Sequence, residues 1–280
     1  MKDLKNKFKY SPISFKLSII AIIILILAAA LADFYPQNGI DTDILNSLQK
    51  PSSAHLFGTD DLGRDYFARA LHGARASLSV GIISVIVSTI IGSIVGITSG
   101  YFGGKVDAIM MRIVDILMSV PSFFLILILN AVLKPGIQNI IIIIGLFNWM
   151  GIARLMRAET LSIRQREYVS YAKMIGINDK KIMLKHIFRN VLPTLSVAVS
   201  INVAGAILTE SALSFLGLGV RQPASSWGSM LKDAQQYLGD YSYLAFFPGL
   251  LILITVLSFN VIGDYLREEY WWKKYWKLKI

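Results

Sequence analysis

Charge-free apolar stretches alternate with short polar ones along the whole chain. Six of them lack Asp, Glu, Lys and Arg over a length that bears on a bilayer: 17–32, 76–104, 116–133, 135–153, 191–209 and 241–263. A helix needs roughly 20 mainly apolar residues to cross about 30 Å of hydrocarbon. The shorter stretches reach that length once flanking aromatic residues and the aliphatic stems of Lys and Arg are counted. A buried helix of a soluble protein explains any one stretch, but six in series predict an all-α integral membrane protein with six transmembrane helices. The first stretch follows a basic tail, as a secretory signal would. Asp33-Phe34-Tyr35-Pro36 is not a small-residue cleavage site, so a retained first helix is expected.

The finer pattern adds local predictions. Residues 34–75 are polar and turn-rich at first, with Pro36, Gly39 and Pro51. The 62–77 stretch then spaces Leu62, Tyr66, Ala70 and Ala74 four apart, with Asp65 and Arg69 at i,i+4, which predicts an amphipathic helix packed on the bundle or lying at the interface. In the second apolar stretch Ser84, Ser88, Gly92, Gly96 and Gly100 recur at strict four-residue spacing. They form a smooth ridge on which another helix, of this subunit or of a partner, can approach closely. Pro121 removes a backbone donor inside the third stretch and predicts a kink.

Composition and charge sharpen the picture. Of 280 residues, 54% are hydrophobic and 16% charged, against about 25% charged in an ordinary soluble chain. With the N-terminus in the cytoplasm, 21 of the 28 Lys and Arg fall on inside segments, whereas the 18 acids divide evenly. That bias satisfies the positive-inside rule, and both termini are expected to be cytoplasmic. The net charge of +10 reflects this bias rather than a basic soluble domain, which argues against nucleic acid as a partner. The tail Tyr270-Trp271-Trp272-Lys273-Lys274-Tyr275-Trp276 reads as an interfacial anchor on anionic lipid. The chain has no cysteine, so disulfides and thiolate metal sites are excluded.

Between the fourth and fifth stretches, residues 157–193 are too patterned for a linker. Apolar residues recur at Tyr168, Tyr171, Ala172 and Ile175, then at Ile182, Leu184, Ile187 and Phe188, with Gly176 and the Asn178-Asp179 pair between the two runs. Two short amphipathic helices joined at a glycine turn are predicted, the second capped by Asn178 or Asp179. Small residues at its tip, Ala172 and Gly176, suit a groove on another protein, and the basic residues around it would steer that partner in. An amphipathic helix resting on lipid fits the periodicity equally well.

The same segment resembles the cytoplasmic coupling loop of ABC importer permeases, often called the EAA loop. Where that family usually has Glu-Ala-Ala, this chain has Ser170-Tyr171-Ala172, with Gly176 and the closing Leu192-Pro193 retained. FGTDDLGRD (57–65) with the ARALHGARASLSVG that follows, ESALSFLGLGVRQPASSWGSML (210–231) and PGLLILITVLSFNVIGDYLR (248–267) are similar to segments of the C-type permease of oligopeptide, dipeptide and nickel importers. The resemblance implies the type I importer permease fold. It also implies a homologous second permease, two ATPase subunits docked on Glu167, Ser170, Tyr171, Ala172, Gly176, Asn178 and Asp179, and an extracytoplasmic binding protein. The corresponding division is an N-terminal region over 1–75, a permease core over 76–266 with its coupling loop at 157–193, and a basic aromatic tail over 267–280. The cargo would be peptides, nickel or metal-chelator complexes.

No nucleotide-binding motif is visible. Gly104-Lys105 lacks a Gly five residues before Gly104 and is followed by Val106 instead of Ser or Thr, so ATP and Mg are expected only in partner subunits. No catalytic arrangement and no metal site is expected. Glu210 invites a proton-coupling role, but a capping or packing role at the outer end of its helix is preferred. Asp60, Asp61 and Asp65 offer oxygen ligands for a divalent ion, with Asp43 farther off. Arg64 among them favours a hydrogen-bonded turn capping the 62–77 helix. His55, His72 and His186 are scattered, and His186 belongs to the surface of the hairpin. A secondary transporter would show repeats or midplane charges, and an intramembrane enzyme would show paired acids or a His cluster in the spans; neither pattern is visible. A passive channel or scaffold is separated from an importer only by its partners.

Overall fold

Among the described residues the first regular element is an apolar helix, Ile13–Ala30, that has few buried positions. A computed structural model describes residues 11–37, 39–133 and 136–277 of the chain, and among these the only β-type pairing is an isolated bridge between Thr59 and Asp65. The helices are α1 (Ile13–Ala30), α2 (Tyr66–Phe102), α3 (Gly104–Met118), α4 (Ser122–Val132), α5 (Ile137–Arg164), α6 (Glu167–Met174), α7 (Asp179–Phe215), α8 (Trp227–Ala234) and α9 (Tyr243–Lys277). The fold is all-helical. Helices α1, α2, α5, α7 and α9 are each long and apolar enough to cross a membrane. Helices α3 and α4 supply a sixth span if taken together, bent by 71° at the break between them. Pro121 lies in that break, where it has no N–H to continue the helical ladder. The third apolar stretch is therefore a bent pair of helices, a larger departure than a kink. The aromatic and basic side chains of the 270–276 tail, the first ten residues and Lys134 lie outside what the structure describes.

The amphipathic helix expected over 62–77 begins only at Tyr66 and is the first part of a longer helix. Helix α2 starts at Tyr66 and continues without interruption for 37 residues, because no proline or turn signal intervenes before Gly103. The expected Asp65–Arg69 pair is replaced as well. The Asp65 carboxylate caps α2 by accepting from the Ala68 N–H at 2.7 Å and meets His55 Nδ1 at 2.9 Å.

The described chain divides into two compact units. One is drawn from Met1–Ile82, Leu129–Ile141 and Val203–Ile262, the other from Ile83–Ile128, Ile142–Asn202 and Gly263–Ile280. The second unit is built on the small-residue ridge of α2, which lies along α5 with the two helices parallel. A Cβ placed on Gly92 would sit 2.7 Å from the Trp149 carbonyl oxygen, one on Gly96 2.4 Å from that of Ala153, and one on Gly100 2.8 Å from that of Arg157. Farther back along the ridge, Gly145 of α5 faces the Ser84 carbonyl, and the Ser88 hydroxyl donates to that same oxygen at 3.0 Å. Between lipid-facing helices there is little hydrophobic driving force, so association depends on this closeness of backbones.

Replacing Gly96 by Leu is expected to force α2 and α5 apart at a cost of about 2 kcal/mol or more. Thermal unfolding of the detergent-solubilised protein should show the loss, with no comparable loss for Gly151→Ala in α5, where the backbone is helical and no atom lies within 4 Å of the added Cβ.

Candidate functional site

The segment joining α5 to α7 forms a hairpin whose geometry follows from three local signals. Helix α6 begins at Glu167 and ends at Met174. Gly176 then adopts φ +79°, a conformation that favours glycine, while the Ile177 N–H returns to the Ala172 carbonyl at 3.1 Å. Asn178 caps the next helix, its side-chain oxygen accepting from the Lys180 N–H at 2.9 Å. The first turns of α7, Ile182–Phe188, are wound as a π-helix. The wider turn puts Ile182 and Ile187, five residues apart, on one buried face, and Val191 and Leu195 continue it at four-residue steps.

One side of the hairpin is anchored in the second unit. Val169 and Ala172 of α6 pack with Tyr101, Met156, Ile163, Ile182 and Ile187 in a single apolar cluster. The Tyr101 hydroxyl donates to the Asp179 carboxylate at 2.5 Å, and the Lys173 ammonium lies 5.4 Å from the centroid of the same ring. Beside it, Arg157 of α5 makes a two-pronged ion pair with Asp107 of α3, both contacts at 2.5 Å.

The other side is bare. Tyr171, Met174 and Ile175 are 61%, 78% and 56% exposed, and Leu184 of the π-helical turn is exposed too. Glu167, Ser170, Gly176 and Asn178 are also exposed, while Asp179 is half-buried. The expectation that Ala172 forms part of the tip is corrected: its side chain is buried in the cluster, 3% exposed. The predicted apolar face of Tyr168, Tyr171, Ala172 and Ile175 is likewise divided, because the buried stripe follows Val169 and Ala172, three residues apart, and leaves Tyr171 and Ile175 outside. Met174 was not singled out from the sequence, where it reads as one more apolar residue.

A second constellation lies in the first unit. Asp60 accepts from the Leu62 and Arg64 N–H groups and from Arg64 Nε at 2.8 Å, and meets Arg69 Nη1 at 3.1 Å. Arg69 reaches Asp233 of α8 at 3.3 Å. Burial pushes the Asp233 carboxyl above its usual range, with Arg69 pulling it back. Trp227, fully buried, donates from its indole to the Ala70 carbonyl at 3.1 Å and from its backbone to the Ser77 hydroxyl. Ser77 in turn donates to Glu210 at 3.0 Å, and Ser214 to the other carboxyl oxygen at 2.7 Å. Glu210 thus sits fully buried in a cage of serine hydroxyls. The hydrogen-bonded turn around Asp60 and Arg64 and a packing role for Glu210 match the expectation from the sequence; the long-range links to Asp233 and Trp227 were not foreseen, and their one local trace is the Ser226/Ser229 capping box that starts α8.

The remaining polar residues are not brought together. His55 pairs with Asp65, His72 lies 3.9 Å from Asp33, and the His186 ring neighbours Tyr168. Asp43 accepts from the Asn46 amide at 2.6 Å, and Asp61 offers its carbonyl to the Ser47 hydroxyl. Two-pronged contact with Arg75 holds the exposed Asp33 carboxyl below the usual range.

Comparison with known proteins places this geometry in context. The family described as binding-protein-dependent transport system inner membrane component matches residues 92–269. The oligopeptide transport system permease protein OppC of Bacillus subtilis is 40% identical over 271 residues, covering 95% of this chain and 88% of that protein. The dipeptide transport system permease protein DppC of Alkalihalophilus pseudofirmus is 39% identical, covering 90% and 84%. The glutathione transport system permease protein GsiD of Pectobacterium atrosepticum is also 39% identical, covering 86% and 79%. An inward-facing structure of the MetNI methionine ABC transporter shares the fold, with a TM-score of 0.60 over 71% of this chain and 95% of that one, at 20% identity.

Tyr101→Phe keeps the ring and its packing but removes the hydrogen bond to Asp179. Backbone amides around 176–182 should then exchange with deuterium roughly tenfold faster, the loss of one charge-assisted bond, with exchange along α5 unchanged.

Proposed function

Because the chain belongs to the family of binding-protein-dependent transport system inner membrane components, we propose that the bare side of its hairpin is the surface on which an ATPase subunit acts. The protein itself is a membrane permease subunit of an ABC importer. In this reading two ATPase subunits bind and hydrolyse ATP with Mg, a homologous second permease completes the translocation path, and an extracytoplasmic binding protein delivers cargo. Peptides are the cargo the reading favours, since relatives at 39–40% identity are named for oligopeptide and dipeptide transport. Both termini and the hairpin then face the cytoplasm, in keeping with the Lys and Arg bias.

One observation carries the coupling assignment: the hairpin has two faces with opposite demands. Val169 and Ala172 are locked into the apolar cluster, whereas Tyr171, Met174 and Ile175 are presented together beside the Gly176 turn. Apolar side chains on an exposed helix end suit insertion into a protein groove. Movement of that groove would be passed on, because the hairpin is joined to α2 through Tyr101 and Asp179 and continues directly into α7. Alternating access follows as α5, α6 and α7 are displaced together.

Met174→Glu combined with Tyr171→Asp is expected to lower ATP-driven uptake at least tenfold, because two buried charges would enter the docking groove. Membrane abundance of the subunit should stay close to normal, since both positions are exposed. Full uptake by the double variant, with ATPase subunits still co-purifying, would sink the assignment.

A further inference from the structure

Beside α8 lies a polar cavity of about 450 Å³ lined by Ser214, Arg221, Gln222, Ser229, Lys232 and Asp233, together with the Gly217 and Val220 backbone. Its charges do not cancel locally. Asp233 is engaged by Arg69 from the buried side at 3.3 Å, so its negative charge is answered from behind the cavity wall. Arg221 and Lys232 engage no carboxylate among the described residues, and both are exposed to the cavity. The Lys232 ammonium lies over the Gly217 turn, where an added Cβ would sit 2.7 Å from it. The floor is hydrogen-bonded: Ser214 is tied to Glu210 at 2.7 Å, and Ser229 is held in the capping box of α8. The result is a polar recess with two uncompensated cations at its rim.

We propose that this recess receives the C-terminal carboxylate of a peptide during import, with Lys232 and Arg221 as its binding residues. The proposal rests on the peptide-import reading above and on the same orientation, which puts α8 on the extracytoplasmic side. Two cations close to one recess favour a carboxylate through charge-assisted hydrogen bonds. Every linear peptide with an unmodified C-terminus carries that group whatever its sequence, so a site for it grips peptides without reading side chains. The volume admits one or two residues, so the site would take hold of one end of the cargo only.

The test uses the complete complex in proteoliposomes: both permeases, both ATPase subunits and saturating binding protein. Uptake of a tripeptide with a free C-terminus is compared with uptake of its C-terminal amide. The wild-type complex should import the free acid about tenfold faster, the effect of one such contact. Lys232→Gln with Arg221→Gln should bring the two rates together, while Lys232→Arg with Arg221→Lys should restore the preference. ATP hydrolysis without cargo, unchanged across the variants, reports intact assembly. Equal rates in the wild type, or a preference that survives the Gln pair, would overturn the subsite. So would a Gln pair that merely weakens association with the binding protein and slows both peptides alike, since that marks a docking surface. A wild-type complex that imports neither peptide would overturn the import reading itself, and the subsite with it.

Discussion

Close approach of two backbones is the constraint on which the rest of the second unit depends. Helix α2 can lie against the carbonyls of Trp149, Ala153 and Arg157 only because Gly92, Gly96 and Gly100 offer no side chain there. In water such a groove would be filled and sealed by apolar burial. In lipid that drive is largely absent, and short-range packing takes its place. The parallel alignment of α2 with α5 also brings the end of α2, with Tyr101, next to the end of α5, from which the hairpin departs. The position of the hairpin is thus a consequence of glycine spacing far from it in sequence.

The hairpin converts that placement into a two-faced element. Its inner face is apolar and continuous, from Val169 and Ala172 through Ile182 and Ile187, and the π-helical turn keeps it so where a regular α-helix would rotate Ile187 away. Its outer face carries Tyr171, Met174 and Ile175, exposed apolar side chains whose burial in any apolar groove would be favourable. In the coupling reading proposed above, a displacement of the outer face would pass to α5 and α7 through this buried face.

The first unit solves a different problem, that of keeping charge inside an apolar protein. Asp60, Arg64 and Arg69 are each nearly inaccessible, and each is answered by an opposite charge or by backbone donors. Leaving any one unanswered would be far more costly than an exposed ion pair is worth. Glu210 is satisfied by hydroxyls, which let it sit within α7 beside Trp227. These contacts join α8 to the start of α2, and they shape the recess with Arg221 and Lys232 at its rim.

Features that depend on a few neighbouring residues were legible in the chain itself: the apolar spans, a departure from straight helix at Pro121 (though not its size), the turn at Gly176 and the cap at Asn178. Each is decided by local sterics, by hydrogen bonds over a few residues, or by the free energy of putting charge in hydrocarbon. Features that pair distant residues were not legible. Nothing near Arg69 announces Asp233, 164 positions later, and nothing near Tyr101 announces Asp179. Local spacing placed Ala172 at the tip and joined Asp65 to Arg69; tertiary packing turned Ala172 inward and gave Arg69 to Asp60 and Asp233. Which face of a short helix is buried is a choice between surfaces of similar apolar content, and only the shape of the neighbouring helices settles it.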